Sequence, residues 1–186
     1  MEAVFLMKIE YIEFLYKVNA DKIPHSKDRT LLDHLKGTYD LLHKWHMEEH
    51  VCIAGLFHSI YGNEHFIKKL ISINKRKKVA NIIGPQSEEL IYYFNICNRK
   101  NTIEKSIDNS NRIIAKNNNT ICCLSKKQFQ ELMILLFANE LEQAEDFVKL
   151  NHEEKFMLDK MYSSISRFLN EHAISSYMEY TKNSCI

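Results

Sequence analysis

Two histidines occupy inward-facing positions on consecutive predicted helices, and they are the residues of this sequence with the clearest chemistry. His58 shares its helix face with Val51 and with the small residues Ala54 and Gly55, which let a neighbouring helix approach closely. The other histidine, His34, shares its own helix face with Leu31, Thr38, Leu41 and Trp45. If the two helices pack antiparallel, both imidazoles come together.

Imidazoles in an apolar setting need either hydrogen-bond partners or a bound cation. Two imidazoles and one oxygen ligand form a usual set for a divalent metal ion. In "LLFANELEQ", Asn139 or Glu140 interrupts the apolar face of the strongest helix in the second half of the chain and offers that oxygen. The residues alone leave two interpretations open, a metal site and a pair of core histidines satisfied by hydrogen bonds.

The elements that must position these residues are predicted to be helices. Only four glycines and two prolines occur in 186 residues, and apolar residues recur with a period near 3.6, so the sequence predicts an all-α fold. Ser125 and Gln128 form a capping-box pattern that opens a long helix. The predicted helices cover residues 2–20, 30–45, 48–60, 63–72, 74–83, 85–97, 126–147, 153–169 and 171–181, with an Asn-rich, partly helical segment over 98–119.

Length and charge limit the classes of protein and of partner. A chain of 186 residues predicts one domain, over residues 1–186, and the net charge of +1 provides no general attraction to nucleic acid or to an anionic membrane. The basic run Lys75–Lys78 lacks interleaved aromatic residues and is typical of a solvated face. We therefore expect a small-molecule ligand as the partner, with no nucleic acid and no membrane; the oligomeric state stays open.

Cysteine usage and the first residues bear on the compartment. The five cysteines are an odd number without a C-x-x-C spacing, which favours reduced thiols and a cytoplasmic protein. The apolar stretch "MEAVFLMKIEYIEFLYKV" is interrupted by Glu2, Lys8, Glu10 and Glu13, and its apolar residues recur at helical spacing. It is expected to be an amphipathic packing helix rather than a signal peptide or a membrane span.

Four segments, in this order and spacing, resemble the all-α HD superfamily of metal-dependent phosphohydrolases. They are "RTLLDHLKGTYDLL", "VCIAGLFHSIYG", "IIGPQSEELIYYF" and "LLFANELEQ". Over about residues 25–146 the chain is most similar to ppGpp-hydrolase domains and their small stand-alone relatives, and it also resembles an uncharacterised family with an "AGLFHSIYG" signature. The resemblance implies an HD-like helical bundle and a hydrolase that binds one divalent metal ion, Mn, Fe or Zn.

The resemblance assigns metal ligands residue by residue. His34 matches the first ligand, His58 the second, and Asn139 stands at the position of a distal aspartate. Ser59 replaces the aspartate of the His-Asp doublet, so two carboxylates have become neutral side chains. Because carboxylates hold hard cations and help lower the pKa of metal-bound water, we expect altered metal binding and altered hydrolysis.

The resemblance also suggests residues that bind substrate and move protons. The loop before His34 carries His25 and Arg29, which would position substrate phosphates. Tyr61 and Glu64 are the candidates for proton transfer, since Gly62 and Asn63 replace an acidic pair of the ppGpp hydrolases. The alternatives are a solvated loop, in which Arg29 pairs with Asp28 or Asp33, and a core role for Tyr61.

Three hypotheses for function follow. The leading one is an HD-like metal-dependent hydrolase with altered ligands, acting on a small phosphate-containing or polar metabolite. The second is a non-catalytic HD-like binding or regulatory module without metal. An HD-type iron oxygenase resembles the chain less, because it needs two further histidines between the doublet and the distal aspartate, where only His65 lies.

Overall fold

The computed structural model describes residues 7–26, 28–62, 69–106, 111–116, 120–146 and 152–183. Within these ranges the chain forms nine α-helices, three short 3-10 turns and two small hairpins, so the predicted all-α class is confirmed. The helices are α1 Ile9–Lys17, α2 Leu31–Lys44, α3 Glu49–Phe57, α4 Arg76–Ile83, α5 Pro85–Ile96, α6 Arg99–Ser106, α7 Lys126–Asp146, α8 His152–Ile165 and α9 Glu171–Asn183.

Both hairpins are antiparallel pairs of very short strands. One joins β1 Pro24–Ser26 to β2 Arg29–Thr30, and the other joins β3 Arg112–Ile114 to β4 Ile121–Cys123. Helical periodicity did not predict them, because strands of two or three residues are too short to show an alternating pattern. The first hairpin leads directly into α2 and therefore sets the position of the chain just before His34.

A capping box fixes the start of α2. The Asp33 backbone N–H donates to Thr30 Oγ1 over 3.2 Å, and the Thr30 backbone N–H donates to Asp33 Oδ2 over 2.9 Å. These bonds satisfy two backbone donors that the first turn of a helix leaves unpaired. The Asp33 carboxylate thus binds the start of α2, and the neighbouring Arg29 pairs with the Glu142 carboxylate instead.

Helix α3 is buried on every side and crosses α2 at close range. A Cβ atom on Gly55 would lie 2.5 Å from Leu42 Cδ1 and 3.4 Å from the Thr38 carbonyl oxygen. The expectation that small residues let a neighbouring helix approach α3 is therefore confirmed at Gly55. This close approach brings the last turn of α3 next to the first turns of α2.

Substituting Gly55 with alanine is expected to destabilise the protein by about 1–3 kcal/mol, because the new methyl group must displace a packed leucine side chain. Chemical denaturation of Gly55→Ala would measure this loss. Gly84→Ala offers a contrast, since no atom lies within 4 Å of the added Cβ and only the positive φ of 86° opposes it. A Gly55→Ala variant as stable as the wild type would contradict the packing described.

Helix α7 is the central element of the second half, and it packs against α2, α3 and α5. The predicted capping box at its start is confirmed, because Gln128 N–H donates to Ser125 Oγ and Ser125 N–H donates to Gln128 Oε1, over 3.2 and 3.0 Å. Seven consecutive residues, 132–138, are fully or almost fully buried. The polar residues that follow in the same helix are therefore carried into the core.

The remaining helix predictions agree in type and differ in extent. The predicted helix over residues 63–72 lies largely outside the described residues, and its described part, 69–72, is not helical. The Asn-rich segment forms α6 and then the second hairpin. No helix among the described residues is long and apolar enough to cross a membrane.

Candidate metal centre

The structure brings His34, His58 and Asn139 together in the core. His34 Nε2 lies 3.1 Å from His58 Nε2 and 3.2 Å from Asn139 Oδ1. All three residues are at most 2% exposed. Helices α2 and α7 supply one residue each, and His58 caps the C-terminal end of α3.

The other polar atom of each side chain is bound in a way that turns a lone pair toward the shared centre. His58 Nδ1 donates to the Gly55 carbonyl oxygen over 2.7 Å, which leaves Nε2 as an acceptor. The Asn139 amide nitrogen donates to Glu140 Oε1 over 2.9 Å, so Oδ1 faces His34. His34 Nδ1 lies 2.5 Å from Glu142 Oε2, and an ionised carboxylate there requires Nδ1 to carry the proton.

These distances fit the ligands of one small cation. Metal–ligand bonds of about 2.0–2.1 Å place ligand atoms about 2.8–3.4 Å apart for right-angled to tetrahedral arrangements. The two separations measured from His34 Nε2, 3.1 and 3.2 Å, lie in that interval. The residues present therefore fit a divalent metal ion bound by two imidazoles and one amide oxygen.

A single proton offers a second way to satisfy the same atoms. If Glu142 is protonated and donates to His34 Nδ1, then His34 Nε2 carries a proton for His58 or Asn139. Burial raises the pKa of Glu142, and a bond from Arg29 opposes that rise. The pair of core histidines satisfied by hydrogen bonds thus corresponds to a protonated Glu142.

Burial favours the neutral form of both imidazoles. Burial, aided by the neighbouring His25, lowers the pKa of His34 to about 3. Burial and the proximity of His34 lower the pKa of His58 well below its ordinary value. A neutral imidazole is the form that coordinates metal, so neither histidine needs to lose a proton to act as a ligand.

Two ion pairs support the centre from outside. Arg29 donates to Glu142, the carboxylate that contacts His34. Arg99 donates to Glu140 over 2.8 Å, and Glu140 in turn accepts from Asn139. His34 and Asn139 are therefore each oriented by a carboxylate that pairs with an arginine. Carboxylates that orient ligands in this way are typical of the outer shell of metal sites.

The sequence interpretation did not identify Glu142. This residue is 6% exposed, and a Cβ atom on Gly37 of α2 would approach its carboxyl carbon to 2.9 Å. Gly37 thus leaves the space in which the carboxylate reaches His34. The available signal was the spacing of Glu142, three residues after Asn139 on one helix, which places both on the same face.

The two residues predicted to bind substrate lie beside the centre. The His25 ring stacks on His34 with centroids 4.2 Å apart and an interplanar angle of 18°. Arg29, with a side chain 27% exposed, reaches from the protein surface to Glu142. The first hairpin holds both residues over the His34 side of the centre, and their role in substrate binding stays a prediction.

Tyr61, one of the two residues predicted to transfer protons, directs its hydroxyl away from the centre to Glu88. The Tyr61 hydroxyl donates to Glu88 Oε1 over 2.9 Å, and Arg76 binds the same carboxylate through two bonds of 2.7 Å. Burial, followed by the bond to Glu88, raises the pKa of Tyr61. Glu64 lies outside the described residues. Ser59, which the resemblance aligns with the doublet aspartate, is buried and directly follows His58 in the chain.

Replacing Tyr61 with phenylalanine is expected to lower the free energy of unfolding by about 1–3 kcal/mol, because a hydrogen bond to a buried charged acceptor is lost. Hydrolytic activity should be retained, since the hydroxyl points to Glu88. Denaturation curves and turnover of the same Tyr61→Phe preparation measure both effects. A tenfold or larger fall in turnover at unchanged stability would instead support proton transfer by Tyr61.

A second group of metal-ligating side chains lies near the opposite end of α3. Glu48, His50 and Glu131 each offer one ligand atom, and these atoms all lie within 4.8 Å of one another. The described residues therefore include a Glu-His-Glu group close enough to hold a metal ion. The ligand assignment by resemblance did not include any of these three residues.

Fold and centre together define an all-α protein with a buried His-His-Asn cluster. Residues 14–99 match the family model described as a domain of unknown function, DUF6817. That match includes His34 and His58 and ends before α7, which carries Asn139 and Glu142. No curated protein and no solved structure matches the chain.

Proposed function

We propose that this protein is an HD-like metal-dependent hydrolase with altered ligands, acting on a small phosphate-containing or polar metabolite. One divalent cation would be held by His34, His58 and Asn139. The observation that supports this proposal best is the convergence of three lone-pair donors at 3.1 and 3.2 Å, each oriented by a separate hydrogen bond.

The chemistry of the three ligands determines which metal ion the centre should prefer. Two imidazoles and an amide are neutral, whereas hard cations such as Mn²⁺ favour carboxylate oxygens. Among Mn, Fe and Zn, the centre should therefore prefer Zn or Fe. When bound, such an ion would supply a polarised water molecule as the nucleophile.

The protein's own residues would orient the substrate. Arg29 presents a planar guanidinium between solvent and Glu142, and guanidinium groups bind phosphate and carboxylate oxygens bidentately. The His25 ring covers one face of His34 and limits access of water there. An anionic group of the substrate would lie against the hairpin that carries these two side chains.

The second candidate is a non-catalytic binding or regulatory module without metal. The observation favouring it is the burial of the centre, since His34, His58 and Asn139 are 1%, 0% and 2% exposed. In that case one proton shared among Glu142, His34 and His58 would satisfy the polar atoms. Among the described residues, the one further histidine beside His34 and His58 is His25. The iron-oxygenase hypothesis, which needs two further histidines, is therefore not strengthened.

Metal analysis of protein purified without chelator tests the proposal. We expect at least one equivalent of Zn or Fe, a melting temperature that falls after chelation and recovers on adding the metal, and metal-dependent hydrolysis within a panel of small phosphate esters. Absence of bound metal together with no thermal response to Mn, Fe or Zn would contradict the metalloenzyme. Bound metal without turnover would favour the binding module.

A further inference from the structure

The Glu-His-Glu group is separate from the His34–His58–Asn139 centre. His50 lies in the first turn of α3 and His58 at its C-terminal end. Eight residues of α-helix separate them by about 12 Å along the helix axis, at about 1.5 Å per residue. One cation cannot bridge the two clusters, so the second cluster needs its own explanation.

Glu131 is the buried member of this cluster. The residue is 8% exposed, and its Oε1 atom is shielded from solvent and accepts no hydrogen bond from the described part of the chain. His50 Nε2 nevertheless lies 3.1 Å from that oxygen. Two polar atoms this close without hydrogen-bond geometry have the separation expected of neighbouring ligands on one cation.

Two exposed side chains, Glu48 and Lys127, lie next to the His50–Glu131 pair. The Glu48 side chain is 60% exposed, and its Oε2 lies 3.5 Å from His50 Nδ1, so it can rotate toward the pair without disturbing the core. Lys127 Nζ lies 2.6 Å from Glu48 Oε1 and 3.7 Å from Glu131 Oε1. An ammonium group therefore competes for the same two carboxylates.

A cavity of about 300 Å³ adjoins the cluster, and both His50 and Glu131 line it. Its other walls come mainly from α5 and the start of α7 and include Glu89, Tyr93 and Gln128. The cavity provides space for the water molecules that would complete the coordination of a cation. Two carboxylates, Glu89 and Glu131, and one ammonium group, Lys127, line the cavity, so its acidic groups outnumber its lysine and favour a cationic occupant.

We infer that Glu48, His50 and Glu131 form a second site for a divalent cation, with His50 and Glu131 as its fixed part and Lys127 as an internal competitor. One imidazole with two carboxylates suits Zn²⁺, Fe²⁺ or Mn²⁺. Removing the Lys127 ammonium should tighten this site, because the carboxylates then lack a competing cation.

Calorimetric titration of chelator-treated full-length protein with Zn²⁺ or Co²⁺ tests the inference. We expect two equivalents in the wild type, and at least tenfold weaker binding at one of them in Glu131→Gln, which keeps the shape of the side chain. Lys127→Met should tighten the same site severalfold. Lys126→Met, the neighbouring exposed lysine, is the matched control and should change neither site.

The pattern of loss separates this inference from the proposed function. If only the His34–His58–Asn139 centre binds metal, one equivalent is found, it survives Glu131→Gln, and the second site is overturned. If only the second site binds, one equivalent is lost in Glu131→Gln and survives His58→Ala. A Lys127→Met variant that folds normally but binds no more tightly shows that Lys127 merely pairs with Glu48, and this also overturns the inference.

Discussion

Replacing His58 with alanine is expected to weaken divalent metal binding at the His34–His58–Asn139 centre by more than about 100-fold. The substitution removes one of three ligands, and loss of an outer-shell partner alone typically weakens affinity by about 10–100-fold. The imidazole is fully buried, so His58→Ala should also lower the free energy of unfolding by about 2–5 kcal/mol, as in other large-to-small core substitutions. Calorimetric titration with Zn²⁺ and chemical denaturation measure the two effects.

His172→Ala is the matched control, since this imidazole is 44% exposed and lies far along the chain in α9. It should leave metal affinity unchanged and lower the free energy of unfolding by about 1 kcal/mol at most, because its ring makes an edge contact with the His46 ring. If His58→Ala destabilises the protein to the same degree with and without added metal, and the wild type binds nothing at the centre, then His58 is a packed core residue. Where His58→Ala fails to fold, His58→Gln retains a polar side chain and permits the same titration.

The second large effect is expected at Glu142, which contacts His34 rather than the cation. Glu142→Gln keeps the shape of the side chain and removes the charge that holds the proton on His34 Nδ1. The Arg29 guanidinium also loses its carboxylate partner. We expect metal affinity to fall by about 10–100-fold, as for other outer-shell carboxylates that orient a histidine ligand.

Glu140→Gln provides the comparison, because its side chain is 39% exposed and it supports the amide ligand instead of an imidazole. Its effect on metal affinity should be the smaller of the two. Stability of the metal-free protein adds a second measurement. Unchanged stability in Glu142→Gln, together with unchanged metal affinity, would show that Glu142 is protonated in the native protein and that the histidines are satisfied by hydrogen bonds.

Local sequence patterns predicted the parts of the fold that depend on neighbours along the chain. The periodicity of α2, α3 and α7 and the capping box at Ser125 depend on residues within one or two turns of each other. The same periodicity placed His34 and His58 on inward faces, and the small Gly55 indicated the close contact between α2 and α3. The structure brings these two imidazoles together as the helix faces indicated.

The features that local patterns did not predict depend on contacts between residues far apart in the chain. Arg29 and Glu142 are 113 positions apart in the chain, and no local pattern connects them. The Tyr61 hydroxyl, a candidate for proton transfer, donates instead to Glu88 of α5, and Arg76 donates to the same carboxylate. Hairpin β1–β2 is too short to show strand periodicity, although it determines where His25 and Arg29 lie.

The bond between Asn139 and Glu140 limits which side chains position 139 can hold. An aspartate there would set a carboxylate oxygen near Glu140 Oε1, where the amide now donates over 2.9 Å. Two like charges at that separation repel, and Arg99 would have to neutralise both. Asn139→Asp alone would therefore place two carboxylates against each other, because the Asn139 amide and the Glu140 carboxylate are hydrogen-bonded, and an acid at position 139 requires a compensating change at Glu140.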